Sequence, residues 1–471
     1  MEDNFDQYSD QDLKEIVERF ERMINFNESY FFDVDDFETI IDFYFDRNNL
    51  RKTGIAIEHA LEQHPNSVIF RLKKAQHLVS SNKTEKALKL LSEIEILDPH
   101  NTDIHITKGA VYSQLKKYDK AIEEYNKALE DSDDLEEIYT NIAYEYENLG
   151  DYENAIGYLE KVVDINPDND AALFELSFCF EITNKAEEST RFFNFHVHDH
   201  PYSKTGWFNL GIAYNNLEDF HKAIDAYDYA IAIDDTFSSA YFNKANSLAN
   251  LNEFRKAIQT YEETFTHEEP EAMTYYYIGE CYEKLNEYEN AIENYKLAVK
   301  QDEELSDAWL GIGLAYDELG NSNKAITNIK KAVTLDPVNA DYWYLLGDVQ
   351  HKCGLIEESL KAYEHVSQID PHHPDIWLDF SHVYLELGDT VLALAVLQQG
   401  MELQPSNPDL IYRMAVYFYK TGKVKEAYNL IENALTIDFY SHTQMFTYYP
   451  SLKKDLKVLG IIETYRKKRK L

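Results

Sequence analysis

The chain has 471 residues, 44% of them hydrophobic and 14% aromatic, with 36 Tyr but only 11 Pro and 16 Gly, a composition that excludes intrinsic disorder and long Pro/Gly-rich linkers. Acidic residues outnumber basic ones 85 to 45, for a formal net charge of −40; this repels nucleic acid and anionic membranes, favours basic partners, and also serves solubility. Cys179, Cys281 and Cys353 lie far apart with no CxxC, which excludes a disulfide framework or zinc site by spacing and suits a reducing compartment.

The opening stretch MEDNFDQYSDQD has neither the basic nor the apolar region of a signal peptide. The chain contains no run of about 18 apolar residues that could span a membrane, so the expected location is cytoplasmic. The first predicted element is a helix over Gln11–Ile24, where Leu13, Ile16, Phe20 and Ile24 recur at helical intervals. It lies in an acidic N-terminal segment, residues 1–33, and is expected to cap the body of the chain.

From Val34 to Ser441 the chain repeats every 34 residues, twelve times, without insertion or deletion. The repeats begin at Val34, Val68, Thr102, Glu136, Asp170, Lys204, Ser238, Ala272, Ser306, Ala340, Pro374 and Pro408. Each reads as two amphipathic helices, A and B, joined by a short turn. Position 4 is large: Trp207, Trp309, Trp343 and Trp377, with Phe37, Tyr139, Tyr241 and Tyr275 in other repeats. Position 8 is small in eleven repeats, including Gly109, Gly211, Gly279 and Gly347; position 11 is Tyr or Phe in nine, and position 20 is Ala in nine. Small residues at 8 and 20 let the helices approach, and large ones at 4 and 11 fill the space between neighbours. Pro at position 32, as in Pro65, Pro201, Pro337 and Pro371, ends helix B. Gly150, Gly320, Gly354, Gly388 and Gly422 fall at position 15, where a helix end calls for a left-handed residue. The first repeat departs with Ile41 and Thr53 at the small positions, predicting a splayed pair. The fifth carries Ser177, Ser189 and His196 at positions 8, 20 and 27, where a change of pitch is expected.

Trp207, Leu210, Gly211, Tyr214, Ala223, Tyr227 and Ala230, with Asp235 in place of the usual Pro, resemble the tetratricopeptide repeat family. The resemblance covers residues 34–441. It implies an all-α, right-handed superhelical solenoid of tandem antiparallel helix pairs, with helices A lining a concave groove. It also implies a protein-binding role without catalysis or cofactor: a scaffold or adaptor holding an extended or helical segment of a partner. The alternative is a regulatory or assembly subunit engaged through its convex face.

In this family the groove is lined by positions 2, 5, 6, 9, 12 and 13 of helix A. Position 5 carries Phe174, Phe208, Phe242, Tyr276 and Tyr344, an apolar row suited to a ligand. Position 6 carries Asn141, Asn209 and Asn243, joined by Asn246 from position 9; amides suit the backbone of an extended peptide, and Asn209 and Asn243 are expected to stack as a short ladder. Position 2 is acidic in the last four repeats, including Asp341 and Asp375, and with Asp348 and Asp379 makes that end negative; such acids also favour helix N-termini. The expected ligand is a basic or mixed-charge peptide. The family's clamp for chaperone C-termini needs Lys at positions 5 and 2. No repeat has either, and Arg413 is the sole Arg at position 6, so that partner is not expected. The histidines of HVHDH (His196, His198, His200) fall at a helix end and are not expected to converge on a metal. No phosphate loop, nucleophile elbow or HExxH is present, so no enzyme is expected. Residues 442–471 read as a C-terminal capping helix, with Leu452, Leu456, Leu459 and Ile462, and a basic tail, Tyr465–Leu471, open to an acidic surface.

Overall fold

A computed structural model describes residues 10–26, 28–132 and 134–469. The first nine residues of the acidic segment and the last two of the basic tail lie outside it. The described residues form twenty-seven α-helices and no strand. They divide into two compact units, Met1–Asn243 and Lys244–Leu471, the division falling within the helix Ser238–Asn250.

The 34-residue frame is matched closely by the helices. All twelve helices B begin on position 17, from Leu50 to Val424, and ten helices A begin on position 1. The exceptions are Leu135–Leu149, one residue early, and Ile376–Glu386, two late behind Pro374. All twelve repeats place a left-handed residue at position 15, not only the five with glycine. Asn supplies it five times, and Lys116 and Glu218 once each, with φ of 56° and 59°. The bonds are those of a Schellman cap: the Gly150 N–H donates to Glu147 O and the Asp151 N–H to Tyr146 O, 2.8 and 2.9 Å. A side chain with a Cβ is strained there, least so for Asn. Lys116→Gly and Glu218→Gly should therefore each raise the urea midpoint, by about 1 kcal/mol in stability; a lowered midpoint would show that these side chains contribute more than the strain costs.

The large residue at position 4 does more than fill space. Trp207, Trp343 and Trp377 donate their indole N–H to the carbonyls of Pro201, Pro337 and Pro371, each at 2.9 Å, and Trp309 donates to Glu303 at 3.0 Å. In every case the acceptor is position 32 of the preceding repeat. Arg71, which breaks the aromatic pattern, makes the same bond to Pro65 O at 3.0 Å. The donor satisfies a carbonyl that the end of helix B leaves without a partner.

Position 8 is small because of position 24. A Cβ on Gly109, Gly211, Gly279 or Gly347 would lie 2.4–2.8 Å from the ring of Tyr125, Tyr227, Tyr295 or Tyr363. Each phenol thus runs beneath its own helix A, in the space the glycine leaves. The irregular repeats are compensated locally. His196 is buried and its imidazole occupies the place a side chain on Gly206 would take, with Nε2 3.2 Å from Ser203 Oγ. In the first repeat Ile41 and Thr53 are both fully buried, and the Thr53 hydroxyl donates to Asn49 O at 3.0 Å.

Both ends are covered. The N-terminal helix Asp10–Phe26 buries Ile16 and Phe20, and Phe20 meets Phe32 and Phe37 edge-on. At the other end the 34-residue phase continues. A short helix A, His442–Tyr448, starts one repeat length after Pro408 and stops at Pro450, and Leu456–Lys468 takes the place of helix B. Asp455 accepts from both the Tyr419 and Tyr428 hydroxyls, at 2.7 and 2.8 Å, fixing this end. Arg469 is not a free cation: it donates to Leu435 O and Thr436 O at the end of the last helix B.

Candidate functional site

Position 5 is mixed: four of its residues are buried between helices, whereas Phe174 is exposed and Phe242, Tyr276 and Tyr344 are half-buried, so the expected open apolar row is interrupted. Leu72, Phe208, Leu378 and Tyr412 are all buried. The Phe208 ring lies 5.9 Å from Phe174, 5.9 Å from Tyr227 and 5.0 Å from Phe237, inside the core. Asn209 is fully buried and joins two helices A by donating Nδ2 to Leu173 O at 2.9 Å, while its Oδ1 has no partner. It therefore cannot offer its amide to a peptide as an outer rung of a ladder. The Asn243 amide donates to Ser239 O in its own helix at 2.9 Å. Asn141 and Phe242 are half-buried.

The first unit exposes three aromatic rings on its A helices, beside aliphatic side chains such as Ile69 and Ile182. Phe174 is 41% accessible, Phe178 45% and Tyr144 58%. Phe178 and Tyr144 both occupy position 9, in adjacent repeats. They belong to the positions the family uses, but residue type alone does not separate them from core aromatics at position 11.

In the second unit the A-helix side chains form tyrosine–carboxylate pairs. The Tyr276 hydroxyl donates to Glu280 at 2.9 Å, Tyr295 to Glu283 at 3.0 Å, Tyr344 to Asp379 at 2.6 Å and Tyr363 to Asp348 at 2.6 Å. The Tyr261 hydroxyl donates to Asn246 in the same manner. Tyr295 and Tyr363 are the phenols that pass beneath helix A over Gly279 and Gly347. Their rings are core and their hydroxyls emerge on the A-helix side. Burial, and then the neighbouring carboxylates, push both phenols well above the ordinary value, so they stay protonated donors.

Glu283 and Asp348 line one hollow of about 390 Å³ with Asp317, Glu318 and Leu314. Its charged walls come from positions 9, 12 and 13 of three successive helices A, Ala272–Lys284, Ser306–Glu318 and Ala340–Lys352, with Asn286 and Tyr288 also lining it. Lys352 pairs with Asp317 at 3.0 Å and Lys284 stands at the rim, so four acids face two bases. Burial raises the Asp348 carboxyl above its ordinary value against the lowering effect of the Tyr363 hydrogen bond. A cation entering the hollow would relieve that cost.

The position-2 acids have partners within the chain, two of them beyond their own repeat. Asp307 accepts from the Tyr342 hydroxyl, Asp341 lies 3.4 Å from His373 Nε2, and Asp409 accepts from Gln444. Asp341 and Asp375 are exposed, whereas Asp379 is half-buried under Tyr344. Arg413 lies 3.7 Å over the Tyr448 ring.

Among the described residues one group has metal-ligand chemistry: atoms of Glu95, His105 and Glu124 all lie within 4.8 Å of one another. Lys108 Nζ bonds Glu95, and Lys127 Nζ bonds Glu124 at 2.8 Å, while His105 Nδ1 lies 2.8 Å from Glu124. Two ammonium groups thus balance the two carboxylates, and the set closes as a partly buried ion-pair network. Of the HVHDH histidines, the buried His196 lies 5.1 Å from His200 ring to ring, while His198 is exposed, so the three do not gather at one point.

Comparison with known proteins gives three kinds of result. The sequence profile of the cilia and flagella-associated protein 70 C-terminal domain matches residues 231–444, and tetratricopeptide repeat profiles match residues 78–140, 136–169 and 205–237. No curated protein matches the chain. Similar solved structures include the APC/C hetero-tetramer Cut9-Hcn1, 16% identical over 92% of this chain and 95% of that one, with a TM-score of 0.39. The C-terminal part of a TPR repeat-containing protein from Cytophaga hutchinsonii is 18% identical over 54% and 98%, with a TM-score of 0.45. MamA is 22% identical over 34% and 94%, with a TM-score of 0.33.

Proposed function

The chain is a multi-repeat tetratricopeptide repeat protein, and from that premise we propose that it is a non-catalytic scaffold that holds a basic segment of a partner protein on the A helices of its second unit. The observation that carries the reading is the hollow walled by Glu283, Asp317, Glu318 and Asp348. Two of these acids, Glu283 and Asp348, are hydrogen-bonded by hydroxyls, with Lys352 only near Asp348, so most of their charge is left for a ligand. Leu314 at the same place gives a Lys or Arg stem an apolar contact. In the first unit, Tyr144, Phe174 and Phe178 supply exposed rings for apolar side chains of a partner. We place the protein in the cytoplasm, a reading supported by three widely spaced cysteines carried as free thiols. No described helix is long and apolar enough to cross a membrane.

The test is affinity for a fluorescent Lys/Arg-rich peptide with scattered Leu, measured on the whole chain. Glu283→Gln with Asp348→Asn should weaken binding at least about tenfold with helicity unchanged. Affinity should also fall as the pH is lowered, beginning above 3.8, the ordinary Asp value, because burial raises Asp348 and protonation removes its charge. Unchanged affinity in the double variant, or binding that is flat down to pH 4, would remove this hollow as the site.

A further inference from the structure

A second hollow lies on the opposite helices of the first unit. It measures about 560 Å³ and runs between helices B of the fourth and fifth repeats, Tyr152–Ile165 and Ala186–Asp199. Gly157 opens it: a Cβ built there meets nothing within 4 Å. In other repeats the same position carries a long polar side chain, as in Lys89, Glu123, Gln259, Glu293 and Lys361. Phe195 stands at its edge, 69% accessible, at a position that is polar or charged in most other repeats, as in Lys127, Lys161 and Lys331, though Tyr229 and Leu297 also occupy it. Both departures from the repeat pattern therefore act in one direction. They clear space and line it with an exposed ring beside Phe192 and the buried Ile156.

The rim is acidic. Glu153, Glu160 and Glu188 border the hollow, and Asp164 lies near enough to raise Glu160. Lys185 reaches both Glu153 and Glu188, and Arg191 offsets one further charge. Among the described residues no side chain forms an ion pair or hydrogen bond with Glu160. Burial first, then Asp164 and Glu188, raises its carboxyl above the ordinary value, and Lys185 offsets this only in part.

We propose that this hollow docks a short amphipathic basic segment of a partner protein, with an apolar side chain over Gly157 against Phe195 and a Lys or Arg toward Glu160. It is a site separate from the A-helix hollow and does not depend on it. An apolar floor with an acidic rim selects against anionic surfaces and against purely polar cations, since each satisfies only half of it.

The probe is a helix-forming Leu/Lys peptide with one photoreactive benzoylphenylalanine on its apolar face, used with the whole chain. Cross-links mapped by mass spectrometry should fall in residues 153–160 and 188–195. Gly157→Gln fills the hollow with the side chain that Gln259 already places there in the seventh repeat, and Phe195→Lys restores the commoner residue. Each should cut those cross-links and lower affinity at this site about tenfold, while Glu283→Gln with Asp348→Asn leaves them unchanged. A Ser/Lys peptide of equal charge should give none. Cross-links confined to the A-helix hollow, or yields at 153–195 indifferent to Gly157→Gln and Phe195→Lys, would overturn the proposal. A Ser/Lys peptide that labels 153–195 equally well would do the same.

Discussion

Trp377→Ala should lower the stability of the second unit by about 3–5 kcal/mol, more than the same change at Trp207, Trp309 or Trp343. Trp377 is 1% accessible, whereas the other three are half-buried. The reason is Gly400: a Cβ there would lie 2.5 Å from the indole, so this tryptophan sits deeper against helix B than its counterparts. Truncation would empty that space and strip Pro371 O of its donor. The other tryptophans lose the same hydrogen bond but less buried area, so their losses should be about half as large. Unfolding of a repeat array need not be two-state. Urea titration should therefore be read with hydrogen exchange of residues 363–416. Equal losses at all four tryptophans would refute the role given to Gly400.

Gly211→Val should cost at least about 3 kcal/mol, although it replaces a glycine within a helix, where most residues would be gained. The added Cβ would lie 2.4 Å from the Tyr227 ring, and Tyr227 is fully buried. Repeat seven pairs Ala245 with Tyr261 at the same two positions, so a single methyl can be met by moving the helices apart; a β-branched side chain leaves no such room. Gly157→Ala is the matched control. Nothing lies within 4 Å of its Cβ, and it should stabilise by about 0.5–1 kcal/mol. Thermal or urea midpoints that move in the same direction for both variants would show that helix propensity, not the Tyr227 contact, dominates.

The frame is legible in the sequence because it is written in sterically forced residues. Small residues at 8 and 20 have few substitutes and repeat in register, and Pro at 32 and Gly at 15 mark the turns in those repeats that carry them. Chemistry that acts across the register is less so. Nothing in Arg71 says that it replaces Trp, yet its guanidinium reaches the carbonyl six residues back that the indoles reach. The candidate site is half legible. Asp348 reads from its position as part of a negative groove, but by the same rule Phe208 and Asn209 belong on an open face, and they are buried. Whether a residue at position 5 or 6 is open depends on how closely neighbouring helices A approach, and that distance is set by residues outside the row. Phe208 is sealed by Phe174 and Phe237, and Asn209 by the Leu173 carbonyl. Glu283, Tyr144 and Phe178, at positions 12 and 9, are the ones left accessible or lining a hollow.

The phenols that run beneath helix A bear on how such a chain can diversify. Gly347, Asp348 and Tyr363 lie in one repeat, as do Gly279, Glu283 and Tyr295. Outside repeats that already pair the gap with a phenol, as Gly211 with Tyr227, a carboxylate moved alone would arrive without the hydroxyl that orients it, and a tyrosine moved alone would lack the glycine's gap. Duplication or exchange of a whole 34-residue segment carries all three together. The smallest heritable parcel of binding specificity here is the repeat itself, and recombination, more than point substitution, is the route by which a new recognition surface would be assembled.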